Sequence, residues 1–173
     1  MKQIILVIGG CRSGKSRHAL ALAEPYMAGD NRFIATCIAH DAEMQARVRQ
    51  HQAERDDRWT TIEAPTALAD TLSRLGGRAD VMLVDCLTLW INNLMTADYT
   101  GEAVSGAVSA LTDALDTLAG PVVLVSNEVG TGIVPENALA RRYRDLAGFA
   151  NQRVAAAADR VVWMVAGIPV QIR

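Results

Sequence analysis

The stretch that decides the fold is GGCRSGKS, residues 9–16, which directly follows the apolar run QIILVI of residues 3–8. It satisfies the phosphate-binding pattern GxxxxGK[ST], in which glycines let successive backbone N–H groups point inward at phosphate oxygens. In such a loop Lys15 reaches the β- and γ-phosphates, and the Ser16 hydroxyl ligates Mg²⁺. The pattern requires a strand before the loop and a helix after it, and this sequence predicts both.

Outward from this loop, short runs rich in valine and isoleucine alternate with longer helical patterns. Near-continuous hydrophobicity is typical of strands covered on both faces, as in a parallel sheet flanked by helices. The predicted strands are 3–8, 32–37, 80–85, 121–126 and 160–166, with weaker candidates at 60–64 and 168–173. The predicted helices are 15–27, 42–55, 66–75, 87–96, 102–118 and 137–157. We therefore expect one α/β domain over residues 1–173, with a mostly parallel sheet.

Composition and charge limit the classes of function. The formal net charge of −2 argues against a nucleic-acid-binding protein, since such proteins usually have an excess of basic residues. No stretch approaches the roughly 20 apolar residues of a membrane span, so we expect no membrane insertion. The three cysteines are widely spaced and form no CxxC pair, which favours a reducing cytoplasm.

A carboxylate at the end of a neighbouring strand is the usual partner of a phosphate loop. In VMLVDC, residues 81–86, Asp85 follows four apolar residues, the shape of a metal-binding strand. Alone, such an aspartate is often only a turn residue. Paired with residues 9–16, it predicts a site for a nucleoside triphosphate with Mg²⁺.

His51 lies in ARVRQHQAERDDRW, residues 46–59, half of which are charged. Met44, Val48 and His51 fall at i, i+4 and i+7, so they share the apolar face of the predicted helix. We expect His51 to point toward the body of the protein or into a cleft. From this pattern alone, a half-buried structural histidine is the favoured interpretation.

The loop SNEVGTGIVPEN, residues 126–137, is the second candidate for function. It leaves the carboxyl end of a predicted strand, where ligands bind in parallel α/β sheets, and it is longer than most connections. The alternative is an ordinary connecting loop. In the helix that follows, apolar side chains recur every three or four residues and predict its buried face: Leu139, Tyr143, Leu146, Ala150 and Val154.

Taken together, several segments resemble the bifunctional adenosylcobinamide kinase / adenosylcobinamide-phosphate guanylyltransferase family of adenosylcobalamin (vitamin B12) biosynthesis. They are GGCRSGKSRHA, FIATC, HDAEMQARVRQH, Trp59–Glu63, LVDCLTLWINNL and residues 125–170. The likeness runs from Ile4 to the C-terminus. Residues 125–168 are far more diagnostic of this family than the phosphate loop, which many unrelated proteins share.

The resemblance implies a RecA-like P-loop NTPase fold of three layers, assembled as a homotrimer with sites between subunits. It also implies two reactions. In the first, ATP or GTP phosphorylates the aminopropanol hydroxyl of adenosylcobinamide. In the second, GTP donates GMP to that phosphate, giving adenosylcobinamide-GDP and pyrophosphate. Mg²⁺ is the expected cofactor, and nucleotide and corrinoid are the expected partners.

The resemblance also assigns roles to residues. Family members pass GMP through a covalent histidine on the helix between the FIATC strand and Trp59–Glu63, a place that only His51 can occupy here. The phosphate cradle is Gly9, Gly10, Cys11, Arg12, Ser13, Gly14, Lys15 and Ser16. Ile34, Ala35 and Thr36 are expected beside the nucleotide. The further nucleotide contacts are Gln52, Ala53, Glu54, Arg55 and Glu63, and Asp85 is the metal-side or nucleotide-side carboxylate.

Two other functions stay open at this point. An unrelated small-molecule P-loop kinase would use the same loop, with His51 merely structural. A GTP-binding switch without transfer chemistry would also fit the loop, but the sequence has no NKxD-type segment to read guanine. The base for the phosphorylation step and the residues that hold the corrinoid carry no signal in the sequence.

Overall fold

A computed structural model describes residues 2–39, 41–53, 55–97 and 99–173. Within these ranges one seven-stranded sheet has the order β3-β2-β4-β5-β1-β6-β7. Its strands are β1 Ile4–Gly9, β2 Asn31–Ala35, β3 Trp59–Glu63, β4 Val81–Asp85, β5 Val122–Asn127, β6 Arg160–Val165 and β7 Ile168–Gln171. The helices are α1 Lys15–Ala23, α2 Ala42–Ala53, α3 Leu68–Leu75, α4 Leu87–Thr96, α5 Gly101–Thr117 and α6 Ala138–Ala157.

The predicted α/β class with a mostly parallel sheet is confirmed. All neighbouring strands pair in parallel except β7, which runs antiparallel to β6. The weaker strand candidate at 60–64 and the tail strand both form. Helix α1 is clearly shorter than predicted, because it ends at Ala23 and passes into a 3₁₀ turn, Glu24–Tyr26. Pro25 explains the early end, since proline has no N–H to donate to the carbonyl four residues before it.

Both faces of the sheet are buried, which explains the continuous apolar strands. Along β1, Ile4 and Leu6 point into one core cluster, which also contains Trp90 of α4. Ile5 and Val7 point into the other cluster, on the side of α1. Successive side chains of a strand face opposite sides, so a sheet with helices on both sides needs apolar residues at every position.

The predicted buried face of α6 is correct at its centre and wrong at its start. Ala150 and Val154 are buried, and Tyr143 and Leu146 pack partly against the core. Leu139, by contrast, is 63% exposed, as is Val134 in the preceding loop, while Ile133 is 97% exposed. The first turn of α6 therefore continues an apolar surface outside the core rather than the face that packs on the sheet.

Buried amide hydrogen bonds fix the carboxyl edge of the sheet. The side-chain amide of Asn93, in α4, donates to the carbonyl of Thr36 at 2.7 Å and to that of Pro65 at 2.9 Å. These carbonyls belong to the segments that leave β2 and β3. Because Asn93 is 4% exposed, losing either bond would leave a polar group without water, so the amide ties both segments to α4.

Candidate active site

The parallel register brings the candidate residues to one edge of the sheet. At the ends of neighbouring strands, Glu63 lies beside Ala35, and Ala35 beside Asp85. Farther along, Gly9 lies beside Asn127. The carboxyl ends of β3, β2, β4, β5 and β1 thus form a continuous row, the position where parallel α/β sheets bind ligands.

The loop after β1 has the backbone of a phosphate cradle. Arg12 and Gly14 have positive φ angles of 54° and 87°. Gly9 is required for another reason: a Cβ there would lie 2.6 Å from Ser13 Oγ and 2.8 Å from the Met164 carbonyl oxygen. At Gly10, by contrast, a Cβ would meet nothing within 4 Å. The first glycine therefore permits close packing against β6, and Gly14 permits the turn into α1.

Two polar side chains of this loop, Lys15 and Ser13, are placed where they could meet a bound anion. Lys15 begins α1, and its Nζ donates to the Gly10 carbonyl at 3.1 Å, which holds the ammonium over the start of the loop. The buried Ser13 hydroxyl has no hydrogen-bond partner among the described residues. A buried hydroxyl of this kind usually finds a partner, and a bound anion would supply one beside the positive end of α1.

Asp85 is the residue around which the charged and polar groups of the site gather. Its side chain is only 15% exposed, and the Ser16 hydroxyl donates a hydrogen bond to it. Burial raises the pKa of the Asp85 carboxyl, while His51, Ser16, Lys15 and Arg55 act in the opposite direction. A carboxylate that is dehydrated but surrounded by donors and cations is suited to hold a cation. The Asp85–Cys86 peptide bond is cis.

His51 faces this carboxylate. It lies in the last turn of α2, with its Nδ1 3.8 Å from Asp85 Oδ2 and its side chain 47% exposed. The expectation that His51 points toward the body of the protein is correct. The distance is too long for a hydrogen bond but suits an ion pair with the protonated ring. Half of the ring is open to a ligand, so the imidazole is both oriented and accessible.

Arg55 anchors the segment after α2. Its guanidinium carbon lies 3.7 Å from the centroid of the Phe33 ring, and its Nε donates to the His51 carbonyl at 3.1 Å. Burial lowers the pKa of Arg55, and Asp85 opposes that effect. Of the other expected nucleotide contacts, Gln52, Ala53 and Glu63 are exposed near this end of the sheet, and Glu54 lies outside the described residues.

Two of the residues expected beside the nucleotide have buried side chains. Ile34 and Thr36 are fully buried, and Ala35 is partly exposed. The Thr36 hydroxyl accepts a hydrogen bond from the Cys86 amide at 2.8 Å and donates one to the Cys86 carbonyl at 2.8 Å. The side chain of Thr36 is therefore a clamp on the turn after Asp85, and Ile34 is a core residue. The predicted strand 32–37 contained both, but β2 ends at Ala35, so Thr36 lies just after the strand, and the pattern did not show which way either side chain faces.

A cleft beside the phosphate loop contains groups that the sequence analysis did not single out. Its volume is about 320 Å³, and its walls are loop residues 10–13, the hairpin residues 163–166, and Glu128 with Thr131. Glu128 belongs to the loop predicted to be functional, but the pattern there did not distinguish it from its neighbours. Trp163 is 40% exposed, although the apolar pattern of its strand predicts only buried side chains.

The side chains at the loop fit Mg²⁺. The Ser16 hydroxyl and the Asp85 carboxylate are hard oxygen ligands already in contact with each other. In the described part of the chain, no cluster of three carboxylate, histidine or cysteine side chains could hold a metal by itself. Mg²⁺ is commonly bound by one or two protein oxygens together with substrate phosphates and water, which is the arrangement this site offers.

The phosphate loop between β1 and α1, with a carboxylate at the end of β4 in a largely parallel sheet, defines a P-loop nucleotide-binding protein of the α/β class. Comparison with known sequences narrows this class. The model of the cobinamide kinase / cobinamide phosphate guanyltransferase family matches residues 5–172. The chain belongs to this family.

Curated relatives agree with the family match. The bifunctional adenosylcobalamin biosynthesis protein CobP of Pseudomonas aeruginosa is 44% identical over 169 residues, covering 97% of this chain and 96% of the relative. Proteins of the same description, named CobU, are 42% identical in Salmonella typhimurium and 40% identical in Escherichia coli. Each of these two matches covers 98% of this chain and 99% of the relative. The chain thus spans nearly the full length of these relatives.

Replacing Thr36 tests whether the turn after Asp85 depends on its hydroxyl. Thr36→Val keeps the shape but leaves the Cys86 amide without a partner, while the Cys86 carbonyl keeps its hydrogen bond from the Trp90 amide. We expect a loss of about 2–3 kcal/mol in the free energy of unfolding, measured with urea, since a buried unsatisfied group costs roughly 1–3 kcal/mol and a further hydrogen bond is lost. Thr36→Ser retains the hydroxyl and should lose only about 1 kcal/mol, for one buried methyl group. Equal stability of the two variants would contradict the clamp.

Proposed function

We propose that this protein phosphorylates adenosylcobinamide with ATP or GTP and then transfers GMP from GTP to the product through a guanylyl-histidine on His51. Family membership supports a kinase and guanyltransferase, and the relatives are named as bifunctional proteins of adenosylcobalamin biosynthesis. The observation that carries the covalent step is the half-exposed imidazole of His51, 3.8 Å from the mostly buried Asp85 at the edge where the phosphate loop lies.

In the guanylylation step, the nucleophile is the ring nitrogen of His51 that faces away from Asp85. Nδ1 lies toward the carboxylate, so Nε2 attacks the α-phosphorus of GTP. A P–N bond forms, the bond from the α-phosphorus to the β-bridging oxygen breaks, and pyrophosphate leaves with the electron pair. Lys15 and the backbone N–H groups of the loop stabilise the charge on the leaving group.

The second half of the transfer returns the imidazole to its starting state. A phosphate oxygen of adenosylcobinamide phosphate attacks the same phosphorus, a P–O bond forms, and the P–N bond to His51 breaks. Asp85 stabilises positive charge on the ring while the P–N bond exists. Dividing one transfer into two attacks lets a single nucleotide site serve both, because each nucleophile meets the phosphorus in turn.

Mg²⁺ bound by Ser16 and Asp85 is part of this proposal. When bound, it supplies positive charge that neutralises the phosphate oxygens. Gly9, Gly10, Cys11, Arg12, Ser13 and Gly14 form the backbone cradle in this proposal. The proposed nucleotide contacts are Arg55, Gln52, Ala53 and Glu63, with the backbone of residues 34–36. Glu54, outside the described residues, is included on the family resemblance alone.

A P-loop kinase without a covalent intermediate is the alternative, in which His51 only balances the charge of Asp85. The same 3.8 Å contact would serve that role. A switch protein without transfer chemistry is not favoured, because the family is one of transferases. The difference between the two kinase interpretations lies in whether the α-phosphate of GTP becomes attached to the protein.

Labelled GTP separates these interpretations. After incubation with α-labelled GTP and denaturation, we expect acid-labile, alkali-stable label on the protein, and none from γ-labelled GTP. His51→Ala should abolish the label, because no other described histidine lies at Asp85. His18→Gln is the matched control, since His18 lies on α1, and should label as the wild type does. Label that persists in His51→Ala would rule out the proposed intermediate.

Metal dependence tests Ser16. Chelation with EDTA should stop both reactions, and Mg²⁺ should restore them. Ser16→Ala removes one oxygen ligand, so the Mg²⁺ concentration for half-maximal rate should rise about tenfold. Mutating even a residue that only supports a metal ligand typically lowers metal affinity about 10–100-fold. Ser105→Ala on α5, whose hydroxyl bonds to the Gly101 carbonyl, is the control. An unchanged Mg²⁺ requirement in Ser16→Ala would exclude this ligand.

We propose that the 173-residue chain acts as one domain in a cytoplasmic homotrimer. In the described part of the chain no helix is long and apolar enough to span a membrane. The three cysteines are free thiols, which suits a reducing compartment. Ile133, Val134 and Leu139 form an exposed apolar surface, which a neighbouring copy would cover.

The mass in solution tests this assembly. We expect sedimentation to give about three times the 18.6 kDa of one chain. Ile133→Asp places a charge on the most exposed apolar side chain, 97% accessible, and should shift the protein toward monomer. Ala103→Asp, on the exposed face of α5, is the control. A monomeric wild type would contradict the trimer, and a trimeric Ile133→Asp would contradict this surface as its interface.

A further inference from the structure

We infer that Glu128 is the general base of the phosphorylation step and that the cleft beside it receives the acceptor hydroxyl. This inference rests on the proposed function, because it concerns the first of the two proposed reactions. The sequence pattern offers no base for this step, and Glu128 lines a cleft of about 320 Å³ that is large enough to admit part of the acceptor.

The backbone fixes Glu128 next to the start of the phosphate loop. Asn127, the last residue of β5, lies in register with Gly9, the last residue of β1. The Glu128 amide then donates to the Gly9 carbonyl at 3.0 Å. Glu128 therefore leaves the sheet against the first glycine of the loop, and its side chain lines the cleft opposite the hairpin residues 163–166.

The same end of the loop is where the terminal phosphate belongs. Lys15 Nζ lies 3.1 Å from the Gly10 carbonyl, at the start of the loop. In phosphate loops this lysine reaches the β- and γ-phosphates. The γ-phosphate is therefore expected at the Gly9–Gly10 end, which Glu128 adjoins. His51, which we assign to the α-phosphate, lies on the other side of the row, beside Asp85 and β2.

One carboxylate oxygen of Glu128 is open to the cleft, whereas the Asp85 carboxylate already faces other side chains. Oε1 of Glu128 accepts a hydrogen bond from the Gly130 amide at 2.5 Å, which orients the carboxylate. Within the described residues, Oε2 has no protein hydrogen bond and no cation forms an ion pair with the group. Asp85, by comparison, is buried, bonded to Ser16 and opposite His51. Of the two carboxylates, only Glu128 faces an open cleft.

The walls of the cleft suit a bulky acceptor. Trp163 and Val165 line it and are 40% and 41% exposed, so apolar surface is available within reach of the carboxylate. In the described cleft wall Glu128 is the only carboxylate. A large, partly apolar substrate that carries one reactive hydroxyl would find packing surface, a proton acceptor and the phosphate loop in the same space.

The step balances as an ordinary phosphoryl transfer. The hydroxyl oxygen of the acceptor attacks the γ-phosphorus, and an O–P bond forms. The bond from the γ-phosphorus to the bridging oxygen breaks, and the nucleoside diphosphate leaves with the electron pair. The hydroxyl proton passes to Oε2 of Glu128, as substrate hydroxyl protons pass to a carboxylate in other kinases.

Glu128→Gln tests the assignment with little change of shape. The glutamine carbonyl can still accept from the Gly130 amide, but the side chain cannot take a proton. We expect kcat for phosphorylation of adenosylcobinamide to fall about 100-fold or more, the usual contribution of a general base. KM for the corrinoid should stay within about threefold, since the cleft is unchanged. Labelling of His51 by α-labelled GTP should stay within about twofold, and so should GMP transfer to supplied adenosylcobinamide phosphate.

Glu136→Gln is the matched control, because it removes the same charge from an exposed position of the same loop. It should leave both reactions at the wild-type rate. A Glu128→Gln variant that phosphorylates normally would overturn the inference, as would an equal fall of both reactions, which would indicate a role in nucleotide binding or loop folding. If the wild type fails to phosphorylate at all, the kinase half of the proposed function fails first, and the two failures are thus distinct.

Discussion

The buried carboxylate of Asp85 is the interaction on which the rest of the site depends. A carboxylate removed from water is costly unless donors and cations surround it. Here the compensation comes from separate parts of the chain: the Ser16 hydroxyl and Lys15 at the start of α1, His51 in α2, and Arg55 beyond it. Because these groups converge on one carboxylate, the phosphate loop and the histidine helix are held at the same edge of the sheet.

Behind this carboxylate, partly buried hydrogen bonds hold the start of α4 in place. Burial, with Asp85 adding to it, raises the pKa of the Cys86 thiol to about 11, so the thiol stays neutral beside the carboxylate. The Asn127 amide donates to Thr88 Oγ1 at 2.7 Å, and Tyr143 donates to the Thr88 carbonyl at 3.2 Å. The end of β5 is thereby joined to α4 and α6. The loop that carries Glu128 thus begins from the same rigid framework as Asp85.

Local patterns in the sequence were sufficient for the parts of the fold that local chemistry decides. The glycines of residues 9–16 and the apolar runs predicted the loop, the strands and the class of fold. Contacts between residues far apart in the sequence could not be predicted in this way. Thr36 meets Cys86 across 50 residues, so no pattern near Thr36 shows that its hydroxyl is occupied. Leu139 fits a helical repeat, yet its turn lies beyond the core. Glu128 becomes a candidate for function only once the fold places it beside Gly9.

The arrangement explains how one phosphate loop can serve two different transfers. A nucleoside triphosphate bound by the loop would present its α- and γ-phosphorus at opposite ends of the phosphate chain, and the two groups that we propose to react with them, His51 and Glu128, lie on different sides of the loop. His51 lies on the β2 and β4 side, with Asp85 to balance the charge of its ring. Glu128 lies between β5 and the β6–β7 hairpin, where a cleft is open. Because the two groups are on opposite flanks, attack on the α-phosphorus and attack on the γ-phosphorus need not compete for one position.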